Sequence, residues 1–187
     1  MTRPTRNRLL FAAFWLACLV LGNVLPDVVR VVFIALILGA AAFSYAVSSR
    51  FFAGRRHLKT KQWVDAIAAF QSFEQELERT SWKRTFSWLA AGIYTRDPVA
   101  IARNNVGVVH LENGKLDLAE ASFRSALERD RDYAVPHLNL GVAAARRGDG
   151  KVMEAELAEA QRLGLTKKKA LASVRALLVS RDTRSAG

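Results

Sequence analysis

A 34-residue period in the second half of the chain constrains the fold more than any other feature of the sequence. The stretch NNVGVVHLENGKLDLAEASFRSALERD, residues 104–130, is followed at that distance by LNLGVAAARRGDGKVMEAELAEAQRLG, residues 138–164. Residue size matches where packing is expected: Gly107 with Gly141, Gly114 with Gly148, Phe123 with Leu157, and Ala126 with Ala160. Exposed positions match poorly, so the period indicates repeated packing units and not a catalytic motif.

Helix start and stop signals fall at equivalent places in the two copies. Asp97 followed by Pro98 is typical of a helix start, because aspartate caps free amides and proline fits the first turn. The predicted helices cover residues 98–112, 116–129, 134–147 and 152–163, and most of them end near a glycine. We find no strand signal outside the apolar runs, and the sequence therefore predicts an all-α fold.

The repeat resembles the tetratricopeptide (TPR) family, whose unit is a helix–turn–helix with small residues where the two helices touch. The resemblance implies a short right-handed helical array whose helices pack through Gly107, Ala119, Phe123, Ala126, Gly141 and Ala160. The chain departs from the usual family residues at Arg131 (proline), His110 (tyrosine), His137 (tryptophan) and Met153 (alanine). These departures weaken no helix prediction, but they suggest looser packing in the last unit.

A fainter third copy lies upstream, at a shift of 53 residues from Gly107. This shift aligns Gly54 with Gly107, Ala66 with Ala119 and Phe70 with Phe123. It exceeds one period by 19 residues, so an insert is expected. The predicted organisation is a degenerate unit at 48–80, an insert at 81–99, units at 100–133 and 134–167, a capping helix at 168–180 and a flexible tail at 181–187.

Two runs without a charged residue precede the repeats, Leu9–Leu25 and Val31–Val47. Each has 17 residues, at the short end of the length that crosses a bilayer, and neither has the polar face of a soluble surface helix. Pro26 and Asp27 supply a break between them. Because backbone in lipid must satisfy its own hydrogen bonds, residues 9–47 are predicted to form a two-helix transmembrane hairpin.

The basic residues predict the orientation of this hairpin. The segment 1–8 contains Arg3, Arg6 and Arg8, while five cations and no acid follow the second run between residues 50 and 61. The positive-inside rule then places both ends, and the repeats, in the cytoplasm. The same rule explains much of the net charge of +11, so the charge does not require a nucleic-acid partner.

A cleaved signal peptide is the alternative interpretation of the first run. The sequence WLAC, which ends at Cys18, bears a slight resemblance to a lipoprotein cleavage site. Trp15 fits such a site poorly, and the chain stays apolar after Cys18. Cleavage there would still leave the second span in place.

The insert combines aromatic and basic residues close to the predicted spans. Such residues often lie at the level of the lipid headgroups. The candidate membrane-interface residues are Trp82, Phe86, Trp88, Tyr94, Arg50, Arg55 and Arg56. The alternative interpretation is that the insert is a connecting helix that packs on the repeats.

The titratable residues are not arranged in any pattern typical of an enzyme. His57, His110 and His137 are scattered, and the last two fall at packing positions of the repeat. The single cysteine excludes a disulfide framework. We therefore expect no catalytic residues, no metal, no cofactor and no small-molecule substrate.

By the TPR resemblance, the first helix of each unit supplies the inner face of the array. The predicted partner-binding groove consists of Ile101, Asn104, Val108, Leu111, Val135, Leu138, Val142 and Ala145. This mostly apolar face suits an amphipathic helix or an extended peptide. The expected function is that of a membrane-anchored scaffold that binds a protein partner.

Two alternatives to this function remain at the sequence level. The basic juxtamembrane region could bind anionic lipid or nucleic acid, with the repeats purely structural. The inner face could instead pack against another part of the same chain, such as the insert.

Overall fold

The computed structural model of the chain describes residues 2–24, 26–87 and 94–185. In these ranges the structure consists of helices without any β-strand, which confirms the all-α prediction. The ten helices are α1 (Arg3–Val24), α2 (Asp27–Val47), α3 (Ser49–Lys59), α4 (Trp63–Arg79), α5 (Ser81–Phe86), α6 (Pro98–Glu112), α7 (Leu116–Arg129), α8 (Ala134–Arg147), α9 (Gly150–Arg162) and α10 (Lys168–Ser185).

The first two helices are long and apolar enough to cross a membrane. They have 22 and 21 residues, and almost all of their apolar side chains are exposed. Helix α1 begins at Arg3, six residues before the predicted run, because nothing in the segment from Arg3 to Arg8 stops a helix. Pro26 precedes α2 with an extended backbone and marks the break between the two helices.

Six of the following helices form three pairs, α3 with α4, α6 with α7, and α8 with α9. Successive pairs also contact each other, through α4 with α6 and through α7 with α8. Only Ser48 separates α2 from α3, and its amide donates to the carbonyls of Ser44 and Tyr45. The second apolar helix therefore leads almost without interruption into the first pair.

The same turn closes the first helix of every pair. Lys61, Gly114 and Gly148 occupy equivalent positions with a left-handed backbone, at φ of 58°, 74° and 87°. In each turn, the amide of this residue and the amide after it donate to carbonyls three and five residues earlier, as in a Schellman motif. Glycine adopts this conformation without strain, whereas Lys61 bears a steric cost.

A close contact between a glycine and a large side chain recurs inside each pair. A Cβ atom added to Gly54 would lie 2.8 Å from the Phe70 ring, and one added to Gly107 would lie 2.5 Å from the Phe123 ring. At Gly141 the neighbour is Leu157, at 3.0 Å. The two partners are 16 residues apart in every case, so the three pairs share one register. Ala66, Ala119, Ala126 and Ala160 are fully buried beside these contacts.

Helix α10 covers the end of the last pair. It packs against α8 and buries Leu171 and Val174, which are 3% and 4% exposed. Arg175 on the same helix pairs with Glu154 of α9 at 2.7 Å. The helix extends to Ser185, beyond the predicted limit at residue 180, because no glycine or proline occurs within it.

Candidate functional site

The predicted groove residues divide into a buried set and a partly exposed set. Ile101, Asn104, Leu111 and Ala145 are at most 8% exposed, so a partner cannot reach them in this conformation. Val108, Val135, Leu138 and Val142 are half-buried and pack at the edge of the core. Only four of the eight predicted groove residues therefore offer an accessible surface. We call Val108, Val135, Leu138 and Val142 the inner apolar patch.

Polar contacts explain part of this burial, since they join α6 directly to α8. The Asn139 side-chain amide donates to Asn104 Oδ1 at 2.9 Å. Arg146 donates to the Leu111 carbonyl and pairs with Glu112 at 3.0 Å. These contacts link residues 34 or 35 positions apart, which is close to the repeat period, and they fix the spacing of the two helices that carry the inner apolar patch.

Arg103 is a structural residue that the sequence argument missed. Its guanidinium pairs with Glu74 of α4 at 2.7 Å and donates to Ser125 of α7 at 3.0 Å. One side chain thereby connects three helices from two pairs. The equivalent residue 34 positions later is His137, which also contacts a carboxylate, Glu156 Oε2 at 2.7 Å. The polar residue at the same repeat position in both units was the sequence signal that could have identified Arg103.

His110 and His137 lie half-buried on different helices, whereas His57 makes an exposed hydrogen bond with Gln62. Burial, and to a lesser extent the nearby charge of Lys115, lowers the pKa of His110 below its ordinary value of 6.5. His110 Nδ1 is buried and has no hydrogen-bond partner in the described part of the chain. Within the same residues, no group of three or more His, Cys, Asp or Glu side chains is arranged to hold a metal ion.

The start of the insert contacts the end of the second apolar helix. The Trp82 ring stacks on Phe43 of α2, with centroids 5.7 Å apart and planes 18° from parallel. Lys83 lies over the Trp82 ring at 5.7 Å and also pairs with Glu76. Trp82 is thus held beside the apolar helix, at the place where a membrane surface would be if α2 spans a bilayer.

The other candidate interface residues differ in their surroundings. Tyr94 is 8% exposed and packs in the main core. It therefore lies with the helix pairs and not at a membrane interface. Arg50 pairs with Glu76 at 3.2 Å, while Arg55 and Arg56 are exposed. Trp88 and the side chain of Phe86 lie outside the described residues.

The residues at the start of α1 contact the turns that follow α7 and α9. Arg3 donates to both carboxylate oxygens of Asp130 and pairs with Asp132 at 2.7 Å. Pro4 is buried, and Thr2 lies against Gly164 in the turn after α9. Both outer ends of the α1–α2 hairpin are therefore attached to the helix pairs, one through Arg3 and the other through Ser48.

No protein-family model and no curated protein sequence matches this chain.

Proposed function

We propose that the chain is a membrane-anchored scaffold of TPR-like repeats that binds a protein or peptide partner at the cytoplasmic face of a membrane. The observation that carries this proposal is the recurrence of one glycine contact, at Gly54, Gly107 and Gly141, in one register. Stacked helix pairs of this kind present extended surfaces that bind other proteins. A right-handed stacking of the pairs is part of the proposal.

The anchor in this proposal is the α1–α2 hairpin. The rest of the protein leaves the apolar side chains of this hairpin exposed, and a lipid environment would cover them. Because Arg3 and Ser48 both attach to the helix pairs, the two outer ends of the hairpin belong on one side of the membrane. The arginines at those ends favour the cytoplasmic side.

The binding surface in this proposal is the inner apolar patch. Its four residues lie on α6 and α8, the first helices of adjacent pairs. Half-buried valine and leucine side chains on two neighbouring helices suit the apolar face of an amphipathic helix or the side chains of an extended peptide. Leu138 is the largest of the four and is expected to contribute most to binding.

Replacing Leu138 with glutamate tests the patch directly. The variant should stay helical, since Leu138 does not form the glycine contact of its pair, yet it should lose partner binding because a charge enters the desolvated centre of the interface. The measurement is co-purification of partners from detergent-solubilised membranes, alongside circular dichroism. Leu118→Glu is the matched control, because Leu118 is 50% exposed on α7 and lies outside the patch.

A folded Leu138→Glu protein that retains every partner would exclude the inner apolar patch as the binding site. The insert that begins with Trp82 would then be the next surface to vary.

A second candidate function is binding of anionic lipid or nucleic acid by the basic segment after α2. The exposure of Arg55 and Arg56, which have no acidic partner among the described residues, favours it. Binding to phosphates weakens steeply with salt, whereas binding to an apolar patch does not. Co-purification at low and at high salt therefore separates the two functions.

A further inference from the structure

An open pocket of about 300 Å³ lies where the first turns of α1 meet the helix pairs. Its lining consists of Arg3, Arg6, Asn7, Arg96, Asp97, Arg129 and Asp130. We call it the N-terminal arginine pocket. Four cationic side chains and two carboxylates give it a net positive charge, and it is separate from the inner apolar patch.

The two carboxylates of the pocket are already occupied by structural contacts. Asp97 caps α6 by accepting from the amides of Val99 and Ala100, and its other oxygen lies 3.1 Å from Arg129. Asp130 accepts from Arg3 and from the Thr95 hydroxyl. Arg3 and Arg129 are therefore the cations that these carboxylates neutralise.

Arg6 and Arg96 are the two remaining cations. Both are exposed, and neither has an ion pair or a side-chain hydrogen bond within the described ranges. Two exposed arginines that line one pocket, and that make no ion pair within the described ranges, form a site that favours an anion. Guanidinium groups bind phosphate oxygens through paired N–H donors, which gives such sites both strength and geometry.

The position of the pocket indicates the source of the anion. Arg6 lies in the turn just before Leu9, where the apolar run of α1 begins. If α1 spans a bilayer, the pocket opens at the level of the lipid headgroups. We propose that the N-terminal arginine pocket binds a phosphate group, supplied by the headgroup of an anionic phospholipid. The lipid source rests on the proposed membrane anchor, whereas the phosphate chemistry does not.

Titration of the detergent-solubilised full chain tests this proposal. The probes are dihexanoyl phosphatidylglycerol, dihexanoyl phosphatidylcholine and inorganic phosphate at fixed ionic strength. The rise in the thermal unfolding midpoint with probe concentration gives each dissociation constant. Wild-type protein should favour phosphatidylglycerol over phosphatidylcholine. The double variant Arg6→Gln/Arg96→Gln should bind phosphatidylglycerol at least about tenfold more weakly, because charged hydrogen bonds are lost.

The matched control is Arg8→Gln/Arg131→Gln, which removes the same charge from exposed residues that do not line the pocket. Its affinity should remain that of wild type. Circular dichroism without any probe shows whether each variant is folded.

The outcomes separate the two sources of phosphate. Loss of phosphatidylglycerol binding only in the pocket variant supports the lipid site. Pocket-dependent binding of inorganic phosphate without a preference for phosphatidylglycerol supports the phosphate site and assigns a soluble source. Equal weakening in both double variants, or no binding by wild type, overturns the proposal. None of these results depends on whether Leu138→Glu loses a protein partner, so the scaffold function is tested separately.

Discussion

Among the glycines that the structure describes, Gly107 has the least room for a side chain. A Cβ atom there would lie 2.5 Å from the rigid ring of the fully buried Phe123, whereas Gly141 faces the more flexible Leu157 at 3.0 Å. Gly107→Ala should therefore lower the free energy of unfolding by about 1–3 kcal/mol, and Gly141→Ala should lower it by less. Thermal and chemical unfolding of the full chain in detergent measures both.

A second substitution separates steric crowding from other effects of alanine. Phe123→Leu in the Gly107→Ala background reproduces the smaller partner found at Leu157, and it should restore part of the lost stability. If the two changes in the free energy of unfolding are strictly additive, crowding between residues 107 and 123 is not the cause of the lost stability.

Lys61 holds a backbone conformation that glycine holds in the equivalent turns. Its φ of 58° is left-handed, and Gly114 and Gly148 adopt the same region. Lys61→Gly should raise the free energy of unfolding by about 0.5–1 kcal/mol, since relief of strain exceeds the entropy that glycine adds to the unfolded chain. Gly114→Ala is the opposite control and should destabilise the protein. A lower unfolding midpoint for Lys61→Gly would contradict the common turn.

His110 should make the stability of the protein depend on pH. Its pKa is lowered by burial, so near pH 6.5 the folded state binds fewer protons than the unfolded state. The stability that neutral His110 contributes is fully present above pH 6.5, and it is lost as the pH falls through the lower pKa of the folded state. Unfolding midpoints at about pH 7.5 and about pH 5.5 should differ less in His110→Gln than in wild type.

An unchanged pH dependence in His110→Gln would show that other groups produce the effect.

At the scale of elements, α10 closes the apolar end of the last pair. Leu171 is 3% exposed on this helix, while Leu177, on the same helix, is 41% exposed. Leu171→Ala should lower the free energy of unfolding by about 2–5 kcal/mol, and Leu177→Ala should change it by no more than about 0.5 kcal/mol. Similar losses for the two variants in chemical unfolding would show that α10 does not cap the last pair.

Local signals in the sequence predicted most helix bounds. The ends of α6 and α7 coincide with their predictions, and Asp97 caps α6 as expected. These features depend on neighbouring residues, so the sequence displays them. Gly54 and Phe70 were aligned with Gly107 and Phe123 by size alone, and the structure brings each glycine against its aromatic ring.

Contacts between distant residues could not be predicted in the same way. The Arg3–Asp130 pair joins residues 127 positions apart, and any of the 28 lysines and arginines could have been the cation. The half of the groove that is buried was missed for a related reason. The burial of Asn104 and Leu111 depends on Asn139 and Arg146 of the next pair, and polar contacts leave no size pattern in a sequence.

At the scale of the whole molecule, the arrangement of the hairpin decides whether the proposed functions are physically available. A scaffold at the cytoplasmic face requires both ends of the hairpin and the helix pairs on one side of the membrane. The lipid site requires the same arrangement, since the N-terminal arginine pocket combines residues of α1 and of the pairs. Cys18 is the only cysteine in the chain, so a Cys18→Ser background accepts single cysteines at chosen positions.

Labelling of such cysteines with a membrane-impermeant maleimide, in intact and in permeabilised cells, is the most direct test of the anchored scaffold. Thr2→Cys and Arg131→Cys should react only after permeabilisation, because the proposed topology places both residues in the cytoplasm with the helix pairs. Val28→Cys, at the other end of the hairpin and 77% exposed, should react in intact cells. Labelling of residues 2 and 131 on opposite sides of the membrane, or of residue 28 on the same side as both, would contradict the anchored hairpin.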